Sequence, residues 1–265
     1  MTRAKSFENP LISHARMRAV YRVLVETRRL SELMRRQAGK AGRGFDVPLG
    51  LEACWVGTAL GLKAGDLASD GRGLAVVEHV RSAGMREGAS GSTLRGLRQA
   101  LAGKAEASRV NAADALLCAV GMAMALRSQR QGGAVMAYVD QGEVARGDWG
   151  RVLRAAEGDD LPLVVVAIPG RASTSRGVAE RKEGSATDRV PVIPVDAGDA
   201  VALYRVAQES LGRVRCGGGA VVIECVSAGA DPVAGMKVQL LAKKICTERW
   251  MNGVDAALST MISRL

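Results

Sequence analysis

Aromatic residues are scarce: three Trp, three Tyr and two Phe make up 3% of 265 residues. The core must therefore be built from Ala, Val, Leu and Met, and the chain is poorly equipped to stack bases or sugars. Histidine is rarer still, at His14 and His79 alone. Neither stands beside a Ser or Cys nucleophile motif, which leaves no triad to read. The five cysteines (Cys54, Cys118, Cys216, Cys225, Cys246) include no C-x-x-C pair. That excludes a zinc pattern; most of the thiols read as small core residues, in a reduced, cytoplasmic setting. No uncharged run reaches the roughly 18 residues of a membrane span. The N-terminus has no apolar signal core, so no export is predicted.

What is present suits one large α/β domain. Hydrophobic residues reach 48% over 265 positions, enough for a full core. The expected division is a helical arm over 1–40 and an α/β domain over 41–265. The formal charge is +10 and the pI near 9.8. A basic chain can meet nucleic acid, an acidic membrane surface, a phosphorylated ligand or an acidic subunit, or simply carry a basic solvated surface.

Apolar periodicity predicts a first helix from about Leu11 to Gln37, with Met17, Val20, Tyr21, Leu24, Val25 and Leu30 on one side. Arg28, Arg29, Arg35 and Arg36 near its end read as a solvated face, with a phosphate or partner contact as the functional alternative. Gly50–Leu62 predicts a short, tightly packed helix and Leu74–Val77 a strand. A weak helix is expected near 93–102 and a small-residue helix over Asn111–Arg127. Strands are predicted at Ala134–Val139, Leu161–Ile168, Val190–Val195 and Ala220–Val226, the Pro-rich one at an edge. Ala197–Val214 reads as a helix and the last 25 residues as one or two more. Strands alternating with helices imply a doubly wound, mainly parallel sheet flanked by helices.

Met136–Gly170 is the stretch that bears on chemistry. An apolar strand runs into Asp140-Gln141-Gly142, an amphipathic segment follows, and a second strand ends at Pro169-Gly170. Such β-turn-α-β units place ligands beyond the carboxyl ends of parallel strands.

The order of these pieces resembles the α subunit of the thiamine-diphosphate-dependent 2-oxo acid dehydrogenases, the decarboxylating component of pyruvate and branched-chain type. The resemblance runs from about Met17 to Val226. Tyr21–Glu32 is similar to that family's opening helix, and Gly50-Leu51-Glu52-Ala53 with Gly65-Asp66 to its Gly-Gln-Glu-Ala segment. Val120–Ala125 is similar to its small-residue helix, and Arg146-Gly147-Asp148-Trp149 falls where it has Glu-Gly-Asp-Phe.

The resemblance implies a thiamine-diphosphate-binding fold, with the motif positions at Asp140, Gln141, Gly142, Gly170 and Ala172. In the family, an acid in the first turn and an Asn in the second hold the magnesium that binds the diphosphate. Here those positions carry Gln141 and Gly170, a neutral amide and no side chain, where a hard dication wants anionic or carbonyl oxygen. A one-residue shift returns Asp140 to the ligand position but spoils the match at Gly147-Asp148. No histidine follows His79, and only Arg72 remains of the family's diphosphate-binding Tyr-Arg pair. No metal ligand, cofactor or catalytic residue is therefore assigned.

Gly170–Gly177 offers Arg171, Ser173 and Arg176 beside the altered turn. With Arg72 they are candidates for weak phosphate or nucleotide binding without metal; the ordinary reading is a polar loop. The functional expectation is an α-subunit-like chain without cofactor, acting as a structural or regulatory subunit. The resemblance implies a homo-oligomer or a β-subunit-like partner, met through Gly50–Leu62 and Asn111–Arg127. The first alternative is an active oxidoreductase subunit that decarboxylates a 2-oxo acid with thiamine diphosphate, magnesium and a lipoyl acceptor. The second is a basic nucleic-acid binder using the Arg28–Arg43 cluster, disfavoured by the few aromatics.

Overall fold

Three runs of apolar residues form the middle of a five-stranded parallel sheet. The computed structural model describes residues 12–37, 49–70, 74–84, 111–130, 132–157, 160–170, 190–226 and 229–263. The strands are β1 (Leu67–Asp70), β2 (Val135–Asp140), β3 (Leu163–Ile168), β4 (Val192–Asp196) and β5 (Val221–Val226), in spatial order β1-β2-β3-β5-β4. All pairings are parallel; Val139 lies opposite Ala167, and Ala167 opposite Glu224. Strands covered on both faces need apolar residues at successive positions, which is why β2 and β3 read as unbroken runs. Pro194 lies in β4, the edge strand, as expected of a residue without a ladder donor.

The helices are α1 (His14–Gln37), α2 (Glu52–Ala59), α3 (Leu74–Gly84), α4 (Ala112–Ser128), α5 (Arg146–Glu157), α6 (Ala200–Arg215), α7 (Pro232–Ala242) and α8 (Glu248–Ile262). One face of the sheet (Met136, Tyr138, Val164, Val166, Ile223) shares a core with α1, α2, α3, α6, α7 and α8. The predicted stripe on α1, from Met17 to Leu30, is buried in that same core. The other face (Val135, Ala137, Val139, Val165) packs against α4 and α5. Among the described residues no helix is long and apolar enough to cross a membrane.

The two faces fix a switch in winding. The β2–β3 connection carries α5 on one face, while the β4–β5 connection travels the opposite way and carries α6 on the other. Right-handed crossovers of opposite travel require opposite faces, and the reversal falls between β3 and β5.

Asp66 ties the amino ends of the strands. Its buried carboxylate accepts from Lys63 N at 2.7 Å and Ala134 N at 2.9 Å, and pairs with Arg215 at the end of α6.

Three expectations need correction. Leu74–Val77 is not a strand but the first turn of α3. Its buried residues Val76, Val77 and Val80 recur at helical spacing, and the strand lies earlier, in the short Leu67–Asp70. Within Gly50–Leu62, expected to be a contact face, every residue of α2 is buried in this chain, and Gly50, Leu51 and Gly61 are half-buried. A Cβ on Gly57 would stand 2.7 Å from Leu203 Cβ, so glycine lets α6 close directly on α2. Of the cysteines, Cys54 and Cys225 are buried core residues, but Cys118 and Cys216 are exposed and Cys246 is half-buried. Residues 1–11 of the expected helical arm and the helix expected near 93–102 lie outside the described residues.

Candidate functional site

The carboxyl ends of β2, β3 and β5 meet at Asp140-Gln141-Gly142, where Asp140 leads into a short 3₁₀ turn, Gln141–Glu143. Asp140 closes that turn: its Oδ1 accepts from Gly142 N at 2.8 Å. Asp and Asn do this readily because the short side chain reaches the backbone two residues on.

Gln141 turns inward and is buried. Its Nε2 donates to Ala167 O at 2.9 Å and to Cys225 O at 3.0 Å. One carbonyl belongs to β3 and the other to β5. The amide therefore caps the junction at which the winding reverses, the place where open parallel sheets leave room for ligands. A carboxylate could not take this position, since it has no N–H to give and would face two carbonyl dipoles.

Gly170 completes the turn from β3. A Cβ there would stand 2.6 Å from Asp140 Oδ1 and 3.4 Å from Gly142 N. Glycine is required so that the Asp140 carboxylate can stay on its own turn; an Asn at this position would displace it. Asp140, Gln141, Gly142 and Gly170 are thus brought together, but by bonds among themselves. The set does not fit a hydrated magnesium ion. Among the described residues the Gln141 amide nitrogen faces carbonyls, Asp140 Oδ1 is taken by Gly142 N, and Gly170 offers no side chain. Arg72, Arg171, Ala172, Ser173 and Arg176 lie outside the described residues.

The rest of this edge carries more carboxylates, each serving a backbone end. Asp196 Oδ1 accepts from Gly198 N at 2.8 Å beyond β4. Asp199 caps α6 through Val201 N and Ala202 N. Asp231 caps α7 through Ala234 N at 2.8 Å. Arg28 answers one of them, Asp231. Its guanidinium grips Glu52, Nε to Oε1 at 2.5 Å and Nη2 to Oε2 at 2.9 Å, and reaches Asp231 Oδ2 at 2.8 Å. Hydrogen bonds to these two carboxylates hold the Arg28 pKa above its ordinary value, Glu52 contributing most. Burial pushes the Asp231 carboxyl up, but Ala234 N–H and Arg28 outweigh it and leave it below its usual range. Arg28 is thus no part of a solvated basic face; of its neighbours, Arg35 and Arg36 are exposed.

The remaining candidates are dispersed. Glu143 is exposed. Asp148 pairs with Arg151 on the first turns of α5. His14 begins α1, whereas His79 is buried in α3 with its Nε2 3.8 Å from Glu26 Oε1. Burial pushes the His79 pKa down to about 4 and the Glu26 carboxyl up to about 7, the latter opposed by Arg22. Glu224 was not expected: it is buried on β5 between Ala167 and Pro194. Its signal was a lone acid in the apolar run Val221–Val226. The roles of Glu52 and Asp231 had no local signal, because their common partner Arg28 is 24 and 203 residues away.

No protein-family model matches the chain, and no curated protein matches it.

Proposed function

We propose that the chain is an α-subunit-like member of the thiamine-diphosphate-dependent 2-oxo acid dehydrogenase family whose strand-end turn has become a structural plug. In this reading it binds neither magnesium nor thiamine diphosphate and serves as a structural or regulatory subunit. The observation that carries the reading is the Gln141 amide seated on the Ala167 and Cys225 carbonyls at the reversal of winding. An acid-to-amide change there converts a ligand position into a donor that closes the sheet's own carbonyls.

The test is thermal. Magnesium and thiamine diphosphate together should leave the melting temperature unchanged, since a ligand with no preference for the folded state adds no stability. A saturable rise with both added would overturn the reading in favour of an active decarboxylating subunit.

A subunit role needs a contact surface, and α4 supplies one that fits a second copy. Leu117 and Met124 are 39% and 40% exposed, Cys118 is exposed, and no atom lies within 4 Å of where a Gly121 Cβ would be. An antiparallel two-fold crossing at Gly121 sets Leu117 against Ala125 and Cys118 against Met124, large against small on each side. The same crossing brings exposed Asp114 near exposed Arg127 of the other copy. Light scattering on the wild type should give a dimer or larger, and Leu117→Glu with Met124→Glu a monomer. A wild-type monomer at micromolar concentration would end the dimer proposal and leave the thermal test untouched.

A further inference from the structure

We propose that the outer arc of α7 docks an acidic amphipathic helix of a second protein. α7 lies on the surface and is apolar except for Lys237 and Gln239 on its flanks. Pro232, Met236 and Leu240 are buried in the core. On the opposite side Ala234, Val238 and Ala242 are exposed at i, i+4 and i+8, forming a continuous ridge. Val238 is 67% exposed, more than any other large hydrophobic side chain described. Gly235, beside the ridge, has open space where a Cβ would be. An exposed apolar ridge between polar flanks is the form a contact surface takes. Ridges with this spacing are what helix-in-groove and helix-on-helix recognition uses.

The surface is set before any partner arrives. Asp231 fixes the first turn. At the other end Ile245 N bonds Leu240 O at 2.9 Å and Lys244 N bonds Leu241 O at 3.0 Å, with Lys244 at φ +54°. That is the paired closure of a left-handed helix cap. A preformed ridge saves the cost of ordering it on binding.

Charge selects the occupant. Lys237, Lys243 and Lys244 are exposed along and beyond α7. The acid at its start, Asp231, is held by Arg28, and the next acid in sequence is Glu248, in the first turn of α8. The exposed charge along and beyond α7 is therefore three lysines against one acid, Asp231, whose carboxylate is already engaged by Arg28 and Ala234 N. A helix with carboxylates flanking a leucine stripe meets the lysines and covers the ridge. With so small a contact area the complex is weak, with Kd on the order of ten micromolar.

The probe is a fluorescein-labelled helical peptide with leucine along one face and glutamate on both flanks; its counterpart carries lysine for glutamate. Fluorescence anisotropy with the full chain should show binding of the glutamate peptide alone, weakening as salt rises. Val238→Asp, and separately Lys237→Glu with Lys243→Glu, should each weaken binding at least tenfold. All these positions are exposed, so the far-ultraviolet circular dichroism and melting temperature should stay as in the wild type. If Val238→Asp disturbs the fold, the lysine variant alone decides. Equal binding of both peptides, or no binding of the glutamate peptide, overturns the proposal. A fall in oligomeric state caused by Val238→Asp overturns it too, because the occupant would then be a second copy.

Discussion

Arg28 and Glu52 form a two-pronged ion pair in which the carboxylate is wholly enclosed while the guanidinium is 17% exposed. Gly50 N also donates to Glu52, at 3.0 Å. The pair pins α1 to the start of α2, and Asp231 extends it to α7. Removing one member of such a pair costs far more than the pair contributes, because the survivor stays buried. Arg28→Met should destabilise by about 3–5 kcal/mol. Asp231→Asn should cost about 1 kcal/mol or less from the ion pair, since Asp231 is 44% exposed. Urea unfolding of both variants gives the comparison; equal losses would mean that Glu52 does not depend on Arg28.

Gln141 offers a sharper contrast. Gln141→Leu leaves two buried carbonyls without their donor and should cost about 2 kcal/mol. Gln141→Glu adds an anion facing the same carbonyls and should cost more, on the order of 4 kcal/mol at neutral pH, easing as pH falls and the carboxyl protonates. Chemical denaturation at two pH values measures this. A Gln141→Glu variant as stable as the wild type would show that the amide does not hold the strand ends.

Two helical glycines should respond in opposite directions. Gly57→Ala forces a Cβ against Leu203 Cβ at 2.7 Å and Ala200 O at 2.9 Å, and should cost about 1–3 kcal/mol. Gly212 on α6 is exposed with open space around it, so Gly212→Ala should gain about 0.5–1 kcal/mol from helix propensity. Calorimetry of the two variants should show melting temperatures on opposite sides of the wild type.

Glu26 and His79 make stability depend on pH in opposite senses. From about 4.5 to about 7 the folded chain keeps a proton on Glu26 that the unfolded chain has released, so stability falls as pH rises through that range. From about 6.5 down to about 4 the unfolded chain binds a proton that buried His79 refuses, so stability falls as pH drops through that range. The contributions oppose each other below about 6.5. Glu26→Gln, a neutral stand-in for the protonated acid, should stabilise near pH 8 by up to about 3 kcal/mol and change little near pH 4. Unfolding curves at those two pH values test it; an equal effect at both would remove Glu26 from the pH dependence.

The buried strands β2, β3 and β5 were legible because a strand covered on both faces leaves an unbroken apolar run. β4 was legible because Pro191 and Pro194 admit only an edge. α3 was misread because Leu74-Ala75-Val76-Val77 is too short to separate strand from helix; the deciding residue, Val80, lies beyond it. β1 was missed because Leu67-Ala68-Ser69-Asp70 has neither alternation nor β-branched residues. In the site, the odd residues Gln141 and Gly170 stood out in the chain. Their partners did not: Gln141 bonds to carbonyls 26 and 84 residues away, and backbone carbonyls carry no sequence signature.

Pro194 at the outer margin of β4 has a further consequence. An open strand margin is a template on which another chain can zip, and the resulting ladders grow into fibrils. A proline there breaks the row of donors, so recruitment of a foreign strand on that side stalls after a few residues. Crowded copies of this protein are therefore denied strand-to-strand growth along β4.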